Sequence, residues 1–228
     1  MSDTERWITF DCFGTLADWN SGFRNILAPL AGDQLEGLVT EFHKSERLQQ
    51  MRTPHQSYRE VLAGALTDAA IASRINIPEN SKYAIADDWQ AVRPFDDIEP
   101  FLNSLRQSGY HLAVLTNCDE DLFEVTHRQF AERFDRVITA ELVRDYKPSL
   151  THFRRFQRVS GVASGDWIHI ACSWYHDIVP AARFGIPSIW LDRDLTGDDP
   201  DLATIRVTKV SDLLPAIDHI NHVLNRNE

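Results

Sequence analysis

The chain has 228 residues, 43% hydrophobic and 25% charged, which is enough to bury a core and too apolar for a disordered or fibrous chain. Lys and Arg total 23 against 34 Asp and Glu, and the resulting net charge of −11 argues against nucleic-acid and membrane-surface roles. No run approaches the ~18 apolar residues that span a bilayer, and three cysteines with no CxxC pair do not make a disulfide framework.

The opening MSDTERWITFD places charges where a signal peptide needs its apolar stretch, so a reduced, cytoplasmic setting is expected. Trp7-Ile8-Thr9-Phe10 is short, β-branched and aromatic, and reads as a buried strand that runs into the turn Asp11-Cys12-Phe13-Gly14-Thr15-Leu16. From about 17 to 98 the spacing becomes helical: Phe23, Ile26, Leu27 and Leu30, then Leu35, Leu38 and Phe42, then Tyr58, Val61, Leu62 and Leu66. This predicts a block of three or four helices with no strand among them.

Beyond Pro100 helices and strands alternate. A helix over Phe101–Ser108 leads to the strand Leu112–Thr116, and a helix around Asp121–Phe130 leads to Arg136–Thr139. A helix over Ser149–Val159 leads to Trp167–Ala171, and Ile178–Phe184 leads through Gly185-Ile186-Pro187 to Ser188–Leu191. Such near-continuous apolar strands between helices predict an α/β fold, with a Rossmann-like parallel sheet as core. The expected core is 1–16 with 99–228, and 17–98 is an inserted helical cap over the carboxyl ends of the strands, where such sheets bind ligands.

Polar residues stand at four of those ends: Asp11 to Thr15, Thr116-Asn117, the Lys147-Pro148 loop, and Cys172 through Asp177. One polar loop means little; four at one edge of one sheet make a site. The set Phe10-Asp11-Cys12-Phe13-Gly14-Thr15-Leu16, Leu115-Thr116-Asn117, Tyr146-Lys147-Pro148 and His176-Asp177 closely resembles, in order and spacing, the four motifs of the haloacid dehalogenase superfamily.

The resemblance implies Asp11 as nucleophile. Phosphatases of that superfamily read Asp-x-Asp, the second aspartate protonating the leaving alkoxide beside a magnesium ion. Phe13 stands there and can do neither. A departing halide needs no proton, and an aromatic residue at this position is similar to the L-2-haloacid dehalogenase branch. A buried carboxylate resists ionisation, and Lys147 resembles the family lysine that offsets this. The resemblance further implies that Thr15, Thr116 and Asn117 position the Asp11 and substrate carboxylates, and that Asp177 pairs with Lys147 or orients a water.

Two departures stand out. The branch carries a halide-binding cap arginine, where this chain has His43-Lys44 with Arg47 one turn on. Its fourth motif reads Ser-x-Asn-x-x-Asp, where Cys172 and Trp174 replace Ser and Asn. His176, a titratable group beside Asp177, is the expected substitute in opening the covalent intermediate. The expected catalytic residues are Asp11, Lys147, Asp177, His176 and Thr15, and Phe13, Thr116, Asn117, Trp174 and His43 are expected to line the substrate. Other histidines, such as His169 inside a strand, read as core or surface.

The expected reaction is metal-independent and needs no cofactor. Asp11 displaces halide from a short 2-haloalkanoic acid, and water opens the aspartyl ester to the 2-hydroxy acid. Hydrolysis of another carbon–heteroatom bond or of phosphate esters, and a non-catalytic ligand-binding relative, stay open, as does a homodimer. The expected partner is a small anionic molecule, with no nucleic acid and no membrane. Cys12, Cys118 and Cys172 each follow a predicted strand, so they are expected to group at the site's edge as inert thiols.

Overall fold

A computed structural model describes residues 5–224. In chain order the elements are β1 (Trp7–Phe10), β2 (Ala17–Asp18), α1 (Trp19–Ala31), α2 (Leu35–Gln50), α3 (Tyr58–Ser73), α4 (Ala84–Asp87) and β3 (Arg93–Pro94). They continue with α5 (Ile98–Gln107), β4 (His111–Thr116), α6 (Glu120–His127), β5 (Arg136–Thr139), α7 (Ala140–Val143), α8 (Thr151–Ser160) and β6 (Trp167–Ala171). A π-helical turn (Trp174–Ile178), α9 (Val179–Phe184), β7 (Ser188–Leu191), β8 (Ile205–Val207) and α10 (Leu213–Leu224) complete the set.

Six strands form one parallel sheet in the order β5-β4-β1-β6-β7-β8. Every residue of β1, β6 and β7 is buried, as expected of strands covered on both faces. With β1 central, Asp11 leaves the sheet between the ends of β4 and β6, where two crossovers diverge. The fold is the expected α/β, Rossmann-like one. No helix among the described residues is long and apolar enough to cross a membrane.

The segment between β1 and β4 is helical, as its periodicity predicts, with one addition. β2 and β3 pair antiparallel through Ala17–Pro94 and Asp18–Arg93, forming a narrow ribbon where the chain leaves and rejoins the sheet. Two-residue strands are too short to show alternation in a sequence. Asp18 also caps α1, its carboxylate accepting from the Ser21 N–H. Arg193, beyond β7, grips the ribbon's base with a bidentate pair to Asp97 at 3.0 Å and a 3.3 Å bond to the Thr15 carbonyl.

The inserted helices share a continuous apolar core with the sheet. Polar bonds fix their position. The Asp119 carboxylate, just past β4, accepts from the Tyr58 and Arg59 N–H groups at 2.7 and 2.9 Å and so caps α3 from across the interface. The buried Trp89 indole donates to Thr126 Oγ1 at 2.9 Å. β8 and α10 extend the sheet and its cover beyond the last predicted strand. β8 has three residues with Arg206 exposed, too little pattern to read alone.

Candidate active site

The site begins in the turn after β1. The Cys12 carbonyl accepts from the N–H groups of Thr15, Leu16 and Ala17, folding the chain back tightly. Gly14 has φ +94°, and a Cβ there would stand 2.7 Å from Cys172 Sγ, so this turn requires glycine. Thr15 Oγ1 donates to Asp11 Oδ2 at 3.0 Å and accepts from the Cys172 N–H at 2.8 Å, tying the β1 turn to the end of β6.

Lys147 comes from the loop after α7 and is fully buried. Its Nζ donates to Asp11 Oδ1 at 2.8 Å, Asp177 Oδ1 at 2.6 Å and the Leu115 carbonyl at 2.7 Å. Those bonds use all three ammonium protons. Asp177 lies in the π-helical turn, a distortion often found at functional sites. The two carboxylates and one ammonium leave a buried net charge of −1.

Electrostatics follow from this packing. Burial raises the Asp11 carboxyl above its ordinary range; Lys147 opposes the rise and Asp177 adds to it. Burial also acts against ionised Asp177, yet Lys147 and His169 overcome it and hold that carboxyl at about 2. Lys147 stays protonated because the two carboxylates outweigh its own desolvation.

His169, which reads from sequence as core or surface, belongs to the site. Its Nε2 lies 3.1 Å from Asp177 Oδ1, and its Nδ1 lies 2.8 Å from Thr9 Oγ1. That hydroxyl accepts from the Trp167 indole at 2.7 Å. The arrangement assigns the Thr9 proton to His169 Nδ1 and the ring proton to Nε2, facing the carboxylate. Trp167, Thr9 and His169 thus form one chain of donors that ends on the Asp177 carboxylate. The sequence signal is a register: Thr9 and His169 are cross-strand partners, and each interrupts an apolar strand.

Several expected substrate-lining residues are differently employed. Asn117 Oδ1 accepts from the Lys147 N–H at 2.7 Å, and its Nδ2 donates to the Lys147 carbonyl at 3.1 Å and to Gln50 Oε1 at 3.3 Å. The amide therefore clamps the lysine's backbone and reaches α2, and has no donor left for a substrate. The Trp174 indole donates to the Asp199 carbonyl, and its ring packs against Ala171, Ile178 and Trp190, so it anchors a loop and does not face Asp11. The partner of the His176 ring is Ser173, whose Oγ lies 3.0 Å from Nδ1; Asp177 is already committed to Lys147 and His169.

Other residues stay available. Thr116 Oγ1 and Asp177 Oδ2 are buried with no protein partner. The Phe13 ring is half-buried and meets Trp89 edge-on at 5.1 Å. His43 packs edge-on against Trp19 at 4.6 Å, and the Trp19 indole itself lies over the Gly14 turn. Burial, helped by Arg24, depresses His43 to about 4, so the group at the expected halide position is neutral at pH 7. Burial, with smaller contributions from Lys147 and Arg47, likewise pushes His176 down to about 4.

The three cysteines are free thiols at this edge. Burial raises Cys12, Cys118 and Cys172, and their mutual influence, Cys172 on Cys12 and Cys12 on Cys118, reflects their grouping. None is a thiolate nucleophile. The residues also do not fit a magnesium ion: Phe13 supplies no oxygen, and Asp11 and Asp177 share one ammonium. Among the described residues no group of three His, Cys, Asp or Glu is arranged to hold a metal.

A cavity of about 460 Å³ abuts the centre, with Gln50, Tyr146, Lys147, Tyr175 and His176 in its wall.

The chain is similar over nearly its whole length to known dehalogenases. It is 24% identical over 227 residues to haloacetate dehalogenase H-2 of Moraxella sp. (strain B), covering 95% of this chain and 96% of that one. It is 21% identical over 221 residues to an (S)-2-haloacid dehalogenase of Pseudomonas sp. (strain YL), covering 92% and 95%. The structure of an L-2-haloacid dehalogenase from Xanthobacter autotrophicus with chloropropionic acid covalently bound superposes with a TM-score of 0.80 at 17% identity, covering 94% and 99%. A family profile described as haloacid dehalogenase-like hydrolase matches residues 8–191. The chain is an enzyme of the haloacid dehalogenase-like hydrolase family.

Proposed function

We propose that this enzyme hydrolyses the carbon–halogen bond of a 2-haloalkanoic acid through an ester on Asp11. The observation that carries the reading is the mounting of the Asp11 carboxylate, one oxygen on Lys147 at 2.8 Å and the other on Thr15 at 3.0 Å, with the aromatic Phe13 and not an acid two residues on. One Asp11 oxygen attacks the substrate carbon, the new C–O bond forms as the C–halogen bond breaks, and halide leaves with the bonding pair. Water then adds to the Asp11 carboxyl carbon, releasing the 2-hydroxy acid and restoring the carboxylate. The helical insert, residues 17–98, serves as a cap that keeps bulk water from the ester.

Phosphate-ester hydrolysis would need a proton for the leaving alkoxide, and position 13 has none to give. Chloride release from the two enantiomers of 2-chloropropionate and from chloroacetate tests the reading. Turnover is expected with at least one, and excess EDTA leaves the rate unchanged, since no step is routed through a metal. Loss of turnover on chelation, restored by magnesium, would refute it.

His176 is assigned to the second half-reaction. It is neutral at pH 7 and its Nδ1 is engaged by Ser173, so its other ring nitrogen can orient the attacking water by hydrogen bonding. The His176→Ala variant is expected to release about one halide per enzyme in a burst and then stall with a mass adduct on the Asp11 peptide. Turnover at the parental rate, or loss of the burst, would remove the role.

A further inference from the structure

The cations of this site are in an unexpected place. Next to Asp11 the only one among the described residues is Lys147, and its three protons go to Asp11, Asp177 and the Leu115 carbonyl. His43 is neutral, and Arg24, whose charge helps keep it so, is paired with Glu36. An anionic substrate therefore meets a centre of net charge −1 with no uncommitted cation.

The uncommitted cations lie in the adjoining cavity. Arg47, Arg52 and Arg144 line it, and Asp145 is the only acidic residue among the described residues of its wall, in a chain where acids outnumber bases 34 to 23. Asp145 is itself engaged by Thr151 Oγ1 and the Tyr146 N–H. Among the described residues neither Arg47 nor Arg144 has a carboxylate partner, and Arg52 has one contact, to Asp68 at 4.0 Å.

Two of these arginines are held in place. The Arg47 guanidinium lies 4.5 Å over the centroid of the Tyr175 ring, a cation–π contact that holds it at the cavity wall. Arg144 ends α7 with φ +55°, where α8 and α9 end on Gly161 and Gly185. The cavity adjoins the reacting centre, sharing Lys147 and His176 with it, and Gln50, also in the wall, accepts from Asn117. Its volume of about 460 Å³ exceeds what a three-carbon acid needs and falls in the range of pockets for larger ligands.

We propose, building on the dehalogenase reading, that the acid this enzyme turns over carries a second carboxylate remote from the reacting carbon, held at the cavity mouth by Arg47 and Arg144. The halogen-bearing end reaches past Lys147 towards Asp11, and the far carboxylate supplies the charge recognition that the inner centre lacks. The guanidinium edge suits a planar carboxylate in two-point contact.

The test compares chloride release from 2-chlorosuccinate, 2-chloroglutarate and 2-chloroadipate with that from 2-chlorobutyrate, 2-chlorovalerate and 2-chlorohexanoate of matched length. At least one diacid is expected to exceed its monoacid partner tenfold or more in kcat/KM, and Arg47→Gln and Arg144→Gln are each expected to bring that ratio down at least threefold. Ratios near one at every length, or a diacid advantage that both variants keep, would overturn the proposal. A second arm does not depend on turnover: calorimetric binding of 2-hydroxy diacids and of matched 2-hydroxy monoacids to the Asp11→Asn protein, with and without the arginine substitutions. If no acid releases chloride, the dehalogenase reading fails, and this arm still decides the cavity. Tenfold tighter diacid binding that depends on Arg47 and Arg144 supports the site, and equal binding overturns it.

Discussion

Replacing Lys147 by methionine is expected to cost the protein its activity and about 3–5 kcal/mol of stability, because it strands two carboxylates in the core. Lys147 is 1% exposed and lies 2.8 Å from Asp11 and 2.6 Å from Asp177. Methionine fills much of the volume, so the loss is one of charge and not of packing. For a chain of this size the shift in Tm should be roughly 6–20 °C downward, at ~2–4 °C per kcal/mol.

The sign of the pH response separates this from a generic defect. In the parent, Asp177 sits at about 2, below its ordinary value of 3.8. Its contribution is therefore present above the ordinary carboxylate range and lost as pH falls through about 2. In Lys147→Met both carboxyls lose their counter-ion and repel each other, so their folded pKa values rise. A raised carboxylate binds protons more tightly in the fold than in the unfolded chain, and stability then increases as pH falls from 7 towards 5. Thermal unfolding at the two pH values checks this. Adding Asp177→Asn to Lys147→Met should recover part of the stability and none of the activity. A variant whose Tm is unaffected, or which unfolds more readily at pH 5 than at pH 7, would show that the ammonium does not hold the two carboxylates.

Much of this site is visible in the sequence because its parts are local. An apolar strand that stops at Asp11, a glycine three residues on, and Thr15 one residue later specify a turn whatever the rest of the chain does. The strands β1, β4, β6 and β7 are equally visible, since burial on both faces leaves a nearly continuous apolar run. What sequence cannot display is which polar groups meet after folding. Asn117 is an amide at a strand end, suited to grip a substrate; only the fold brings the Lys147 backbone, 30 residues on, against both of its ends. His169 looks like a filler of a buried strand until β6 lies beside β1 in the register that sets it against Thr9. Trp174 occupies a motif position, but the π-helical turn carries its ring to the 192–200 loop. The motif spacing locates the turn and leaves the direction of each side chain to packing.

Asp11→Asn is expected to abolish turnover while leaving the fold intact, a loss on the order of 10⁴–10⁶-fold for removal of a nucleophile. The reasoning rests on what asparagine keeps and what it lacks. Its Oδ1 can still accept from Lys147, and its amide can donate to Thr15 Oγ1, reversing the 3.0 Å bond that Thr15 now makes to Asp11. The anionic oxygen that attacks carbon is gone, and an amide oxygen is a far weaker nucleophile. The exchange also removes the repulsion between the Asp11 and Asp177 carboxylates, which is one cause of the raised Asp11 carboxyl. One ammonium then faces one carboxylate, and the buried charge balances. Thermal stability should therefore equal or exceed that of the parent, even though activity is lost. A variant that keeps releasing halide at a tenth of the parental rate or better would mean that another group attacks the carbon. A variant that loses both activity and several degrees of Tm would mean that the Asp11 charge is structural, holding Lys147 in place, and its role in the reaction would need the covalent adduct as independent proof.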